Sequence, residues 1–218
     1  MSQSTTPNTD IPSRRRFLMR SSFGAAALLN STGARVAAGV ASSVASTAVH
    51  SAREQNPELP ASLAALDDKA PRRLDLYSAH TKEELSVVYF THGMYIDENI
   101  QALNHLMRDR RANVATSMDI KLYDQLFLVQ RKFEGAGPLQ VLSGYRTPET
   151  NAKLRRRSNG VAKNSLHIEG RAVDFYLPGV PVKTLRSAAV DLDAGGVGIY
   201  SRSGFIHIDT GAIRRWGK

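Results

Sequence analysis

The sequence predicts an α+β domain, a central antiparallel sheet with helices packed mainly on one side, and three observations carry that prediction. Short alternating or apolar runs that read as strands recur at 74–78, 84–90, 139–143, 172–177 and 205–210. Two stretches between them carry apolar residues at helical spacing, and no segment repeats another. At 218 residues and 42% hydrophobic, the chain has material for one packed core, or for one domain with a tail.

Taken in order, Leu74–Ser78 alternates like a strand, and Glu84 to Phe90 reads as a second. The short link through Thr81-Lys82 makes an antiparallel hairpin of them, and His92-Gly93 marks the next turn. Ile100, Leu103, Leu106 and Met107 fall on one helical face, as do Leu122, Leu126, Val129 and Phe133. Gly135 and Gly137-Pro138 stop the second helix. Leu139 to Ser143 reads as a buried strand leading into Gly144-Tyr145-Arg146. Thr147 then caps a helix whose first residue is Pro148, and Arg155-Arg156-Arg157 suit its negative end. Ala172 to Leu177 is a strand broken by Pro178-Gly179, and Val182 to Val190 is a short helix. The glycine-rich run Gly195 to Tyr200 leads into a hairpin with Phe205 to Thr210.

The first 48 residues differ from all this. Ser13-Arg14-Arg15-Arg16-Phe17-Leu18 fits the twin-arginine export pattern, and an alanine-rich, weakly apolar stretch follows from Phe23 to Ala48. Asn30, Arg35 and many Ser and Gly make that stretch a poor membrane span. Residues 1–48 therefore read as a targeting segment, with Ala48 and Ala41 as alternative ends. Residues 49–71 read as a linker with a short helix near Leu63 to Leu66, and 72–218 as the folded domain. The expected location is the periplasm or cell envelope, with no membrane span in the mature form.

Five arginines and one aspartate leave with the leader, so the net charge falls from +9 to +5. A mildly basic domain suits an acidic polymer without demanding nucleic acid, and no aromatic residues interleave with its basic ones. The chain has no cysteine, so any metal must be held by nitrogen and oxygen.

His167, Asp174 and His207 are the candidates. With a two-residue period Asp174 shares a strand face with Ala172 and Tyr176, and His207 shares one with Phe205 and Asp209. Adjacent strands can aim both side chains at one point, with His167 reaching it from the loop before Gly170. Two imidazoles and a carboxylate, with a fourth position left for water, are a catalytic zinc donor set. Taken singly, each histidine also reads as a hydrogen-bonded core residue, and the aspartate as a loop brace.

The run Ser165-x-His167-x-x-Gly170-x-Ala172-x-Asp174, with Ser143-Gly144-Tyr145-Arg146 before it and Phe205-Ile206-His207-Ile208-Asp209 after it, resembles the zinc D-alanyl-D-alanine peptidases. That family shares its fold with the signalling domain of hedgehog proteins. The chain is more similar still to the murein endopeptidase K branch, through Gly144 to Asn151, Val161 to Asp174, Gly195 to Tyr200 and His207 to Trp216. The resemblance spans about residues 72–218. It implies zinc on His167, Asp174 and His207, and hydrolysis of the peptide stems that cross-link bacterial peptidoglycan, as an endopeptidase.

Arg146 is then expected to steady the oxyanion or grip a substrate carboxylate, against the plainer reading of a structural salt bridge. Tyr145 and Ser165 are expected to hydrogen-bond the substrate peptide, against packing or loop roles. In related carboxypeptidases an acid three residues before the last histidine is the general base, and here that position is Gly204. The hedgehog-like branch has a histidine two before, and here that is Phe205. Asp209 is the substitute base, with an equal claim to orienting an imidazole instead. A second class of function stays open: a non-catalytic wall-binding module that keeps the metal for structure. His80, His92 and His105 read as surface or turn residues. Lys153 and Arg155 to Arg157 read as a solvated helix face or an attractor of anionic stems.

Overall fold

The computed structural model describes residues 59–158 and 160–217. The expected leader, its cleavage sites and the first part of the expected linker lie outside the described residues. The chain runs α1 (Ala61–Ala64), β1 (Arg72–Ser78), β2 (Glu84–Thr91), β3 (Met94–Tyr95), α2 (Asp97–Leu106) and α3 (Ile120–Arg131). It continues through β4 (Leu139–Ser143), α4 (Pro148–Arg155), β5 (Ala172–Tyr176), α5 (Val182–Val190), β6 (Gly196–Tyr200), β7 (Phe205–Asp209) and β8 (Arg214–Trp216).

All eight strands join one sheet in the order β3-β2-β1-β4-β5-β7-β6-β8. The α+β expectation holds, with one correction: the sheet is mixed. β1 pairs with β4 in parallel, and so does β6 with β8. The first parallel pair requires a long crossover, and α2 and α3 supply it. The β1–β2 and β6–β7 hairpins are antiparallel as expected. β3 arises from the turn at His92-Gly93, where φ values of 51° and 78° give the two-residue hairpin that pairs Thr91 with Met94.

Helices α3 and α5 pack on each other and on the sheet, α3 over β1 and α5 over β6 and β7. Beneath them, Val173, Phe175, Val197, Ile199, Ile206 and Ile208 project from one face of the adjacent strands β5, β7 and β6 into the core. The alternation that buries those six side chains sends the residues between them to the opposite face. That face carries the site.

Two local signals act as the sequence suggests. The Thr147 hydroxyl accepts from Thr150 N at 3.2 Å and starts α4 with proline in its first turn. Asp119, which the sequence reading passed over, caps α3 by accepting from Lys121 N at 3.0 Å. The packed region also starts earlier than Arg72. Leu63 and Leu66 of the expected linker are buried in the core, and Ser62 Oγ donates to Leu192 O at 2.6 Å.

Candidate metal centre

The site is a row across the sheet. Asp174 on β5 lies opposite His207 on β7, His207 opposite Gly198 on β6, and Gly198 opposite Trp216 on β8. Ser143 on β4 faces Asp174 from the other side. Gly198 makes the row close: a Cβ there would stand 2.4 Å from the Trp216 ring. Without one, the indole lies beside the His207 imidazole, ring centres 5.2 Å apart. A second row repeats the device. Asp209 lies opposite Ala172, and a Cβ on Gly196 would stand 2.5 Å from Asp209 Oδ2 and 2.8 Å from Arg214 Nη1.

His167 enters from the turn at 165–170, whose Ile168 N donates to Ser165 O at 2.9 Å. Gly170 closes that turn at a φ of +69°. The imidazole is buried, and its Nδ1 lies 2.6 Å from Gly144 O. A carbonyl only accepts, so Nδ1 carries the proton and Nε2 presents a lone pair. Burial holds this ring below its ordinary pKa, with Arg146 and His207 adding to the effect and Asp174 opposing it.

His207 is fixed from behind in the same way. Its Nε2 stands 3.0 Å from Asp209 Oδ2. Burial pushes the Asp209 carboxyl up, but hydrogen bonds from His207 and Gly211 N and the charge of Arg214 bring it below the usual range. An ionised carboxylate accepts, so Nε2 donates to it. The free edge, Nδ1, faces Asp174 Oδ1 at 2.8 Å and His167 Nε2 at 3.2 Å. His167 Nε2 and Asp174 Oδ1 are 3.3 Å apart.

Three acceptor atoms therefore converge with their protons directed elsewhere. The space among them takes one positive centre, either a proton on His207 Nδ1 or a metal ion. Burial alone would lower the His207 pKa, yet bonds to Asp174 and Asp209 raise it, as the proton-filled state requires. Burial likewise pushes the Asp174 carboxyl up, and His167 and His207 together hold it well below its ordinary value. Two imidazole nitrogens and one carboxylate oxygen, open on one side, fit a zinc ion. Among the described residues, no other His, Asp or Glu cluster offers three ligand atoms this close.

The trio opens into a cleft of about 460 Å³, lined also by Arg146, Ser165, Tyr200, Phe205, Arg214 and Trp216. The Tyr200 and Phe205 rings stack at 4.6 Å, and Trp216 Nε1 donates to Tyr200 Oη at 3.4 Å, making one wall aromatic. No sequence signal had marked Tyr200 or Trp216 beyond their place in longer motifs.

The remaining expected site residues are placed as follows. Arg146 Nη2 meets Asp174 Oδ2 at 2.5 Å and its Nε meets Ser143 Oγ at 2.7 Å. It thus holds the outer oxygen of Asp174 while lining the cleft. Ser165 lines the cleft. Tyr145 does not: it packs against the core and lines a neighbouring recess. Asp209 does not line the cleft. It is fully buried behind His207, on the ring edge away from Asp174, and Arg214, Gly196 N and Gly211 N also claim its oxygens. Gly204, the position of the acid in related peptidases, lies in the β6–β7 turn with open space around it. His80, His92 and His105 are exposed, as expected.

A peptidase M15 family model described as peptidoglycan L,D-endopeptidase MepK matches residues 67–216. The peptidoglycan L,D-endopeptidase MepK of Escherichia coli (strain K12) is 46% identical over 153 residues, covering 70% of this chain and 84% of that protein. The protein of that name in Shigella flexneri gives the same figures. The probable peptidoglycan L,D-endopeptidase MepK of Haemophilus influenzae is 41% identical over 155 residues, 71% of this chain and 83% of that protein.

Proposed function

Because the chain belongs to the peptidoglycan L,D-endopeptidase MepK family, we propose that it is a zinc-dependent hydrolase that cuts peptide cross-links of bacterial peptidoglycan. The sequence by itself does not say whether D,D or L,D cross-links are preferred. The relatives carry the L,D activity in their names, and we extend that preference to this chain. The observation that supports the reading is the convergence of two imidazole nitrogens and a carboxylate oxygen in an open cleft, on the residues that the sequence resemblance implies as ligands.

His167, Asp174 and His207 would hold the metal, which supplies an acidified water and a Lewis acid for the scissile carbonyl. Gly144 O and Asp209 keep each imidazole in the tautomer that turns a lone pair inward, so Asp209 acts as a positioning residue rather than as the base. Arg146 fixes Asp174 and offers its positive charge to the carbonyl oxygen as negative charge develops there. Ser165 stands at the cleft as a donor to the substrate backbone. The aromatic wall of Tyr200, Phe205 and Trp216 excludes water from one side of the substrate.

The twin-arginine pattern in residues 1–48 would send the protein to the periplasm, where this substrate is found. No helix among the described residues is long and apolar enough to cross a membrane.

One observation favours a second reading, the wall-binding module. Among the described residues lining the cleft, Asp174 is the sole carboxylate, so no acid stands free to act as base. Cross-linked muropeptides incubated with the purified protein, with and without a chelator and beside His167→Ala, separate the two. The enzyme reading expects cleavage that both chelation and the substitution abolish. Full metal occupancy with no bond cut would establish the binding module.

A further inference from the structure

A second recess adjoins the metal cleft, and Arg146 lines both. His80, Arg108, Arg110, Arg111 and Tyr145 line the rest of it. Its construction starts from Asp109, a residue buried among arginines in sequence. Asp109 Oδ1 accepts from Arg111 N at 2.9 Å and Ala112 N at 3.3 Å. Oδ2 accepts from Thr147 N at 2.9 Å and Thr147 Oγ1 at 3.0 Å. The carboxylate thus ties the loop that carries Arg110 and Arg111 to the residue directly after Arg146. A backbone bridge between Asp109 and Val114 closes that loop.

The same frame reaches the metal trio. Tyr145 N donates to Met107 O at 2.7 Å, and Arg146 N donates to His167 O at 3.0 Å. Recess and trio are therefore held in fixed relation by the segment 144–147.

The charge of the recess is not balanced. Arg108 is committed to Glu83, at 2.7 and 2.9 Å, and Arg146 to Asp174. Among the described residues Arg110 and Arg111 form no ion pair, and Asp109 spends its oxygens on N–H and O–H donors. Partial burial, then Arg110, and further Arg146 and Arg157 hold the Arg111 guanidinium below its ordinary pKa against the pull of Asp109. Burial, then Arg110, Arg111 and Lys82 do the same to His80. Both shifts mark a place where a further positive charge is disfavoured and an anion is favoured. The recess offers about 20 Å³, the room of about one ordered water, so it takes the tip of a small polar group and not a sugar ring.

We propose that this recess is a carboxylate subsite, in which Arg110 and Arg111 grip a free carboxylate of the peptide stem beside the bond cut at the metal trio. Guanidinium groups match carboxylates in charge and in fork geometry. The proposal rests on the reading of the chain as a peptidoglycan endopeptidase. It adds which part of the substrate is recognised, and by which residues. Two stem carboxylates qualify, the α-carboxylate of the γ-linked glutamate and the one at the stem terminus.

The test uses the double variant Arg110→Gln/Arg111→Gln and the charge-keeping Arg110→Lys/Arg111→Lys. Cross-linked dimers are prepared with both carboxylates free, with the glutamate one amidated, and with the terminal one amidated. The expected result is a KM raised about tenfold by the glutamine pair with kcat unchanged, and largely restored by the lysine pair. Amidating the carboxylate that the recess takes should raise the wild-type KM equally and leave nothing further for the glutamine pair to lose. Unchanged KM in the glutamine pair, or an equal loss on all three dimers, overturns the proposal. In parallel, the Kd of an uncross-linked fluorescent stem peptide is measured by anisotropy for the wild type and both variants. If the wild type cuts no dimer, the endopeptidase reading fails. The arginines are then judged by Kd alone, a tenfold weakening in the glutamine pair supporting the subsite and no change refuting it.

Discussion

Asp124 and Asp174 are both buried carboxylates in the packed domain, and they are built to opposite ends. Asp124 is saturated. Arg72 Nη1 and Tyr89 Oη donate to its Oδ1, both at 2.9 Å, and Tyr95 Oη donates to its Oδ2 at 3.0 Å. Arg72 is itself sealed in, its guanidinium carbon 3.9 Å above the Phe90 ring centre. Every partner brings a proton to Asp124, so neither of its oxygens faces an open lone pair. Asp174 has one such partner, Arg146, on one oxygen. On the other it meets two imidazole nitrogens whose protons have been drawn off to Gly144 O and Asp209. Burial and charge do not separate a structural carboxylate from a ligand here. The side of each partner that carries the proton does.

Breaking each network should expose that difference most strongly. Asp124→Ala leaves the buried Arg72 charge with only the longer contact to the exposed Asp68, at 3.4 Å, at a cost of about 3 kcal/mol of stability. Urea unfolding should show that loss while zinc content and kcat of the folded fraction stay near wild type. His207→Ala should do the reverse, abolishing zinc binding and turnover with a smaller loss of stability in the metal-free state. Equal losses of stability in the two variants would erase the distinction.

A finer cut is Asp209→Asn. As the anchor of the His207 tautomer, Asp209 should when substituted weaken zinc binding about 10- to 100-fold, with turnover recovering as zinc is added. Turnover lost at full zinc occupancy would instead restore Asp209 to the role of base.

The smallest effect is the pH response. The His207 pKa is raised in the folded, metal-free protein, so the group stabilises that form below its unfolded value of about 6.5. This contribution is lost as pH rises through the folded pKa. A metal must displace the same proton, so zinc affinity should climb over that range and flatten above it. Titrations at stepped pH check this, and an affinity that falls as pH rises from 6 to 8 would contradict it.

Much of the centre was legible in the sequence because strand alternation is a local signal. Asp174 and His207 each stand between apolar neighbours, which fixes their face without knowledge of the pairing. The Thr147-Pro148 helix start was legible for the same reason. What stayed hidden is non-local or carried by the backbone. Nothing in residues 72–78 says that they lie parallel to 139–143, since a crossover of that length leaves the partner open. β8 is a polar Arg-Arg-Trp segment whose strand character comes only from pairing with β6. The anchor of His167 is a main-chain carbonyl, which leaves no mark in residue identity. Asp109, flanked by Arg108 and Arg110, reads as one charge in a solvated run, yet it is 2% exposed and bolts two loops together. Which edge of the His207 ring Asp209 meets was hidden too, because a shared strand face gives direction and not the edge of the ring that is met.

The most direct measurement is calorimetric titration of the metal-stripped protein with zinc at neutral pH, alongside His167→Ala. The arrangement predicts one tight equivalent per chain, with proton release to the buffer, and no tight site in the variant. A stripped protein that takes up no zinc, or a variant that binds it as well as the wild type does, would contradict the account.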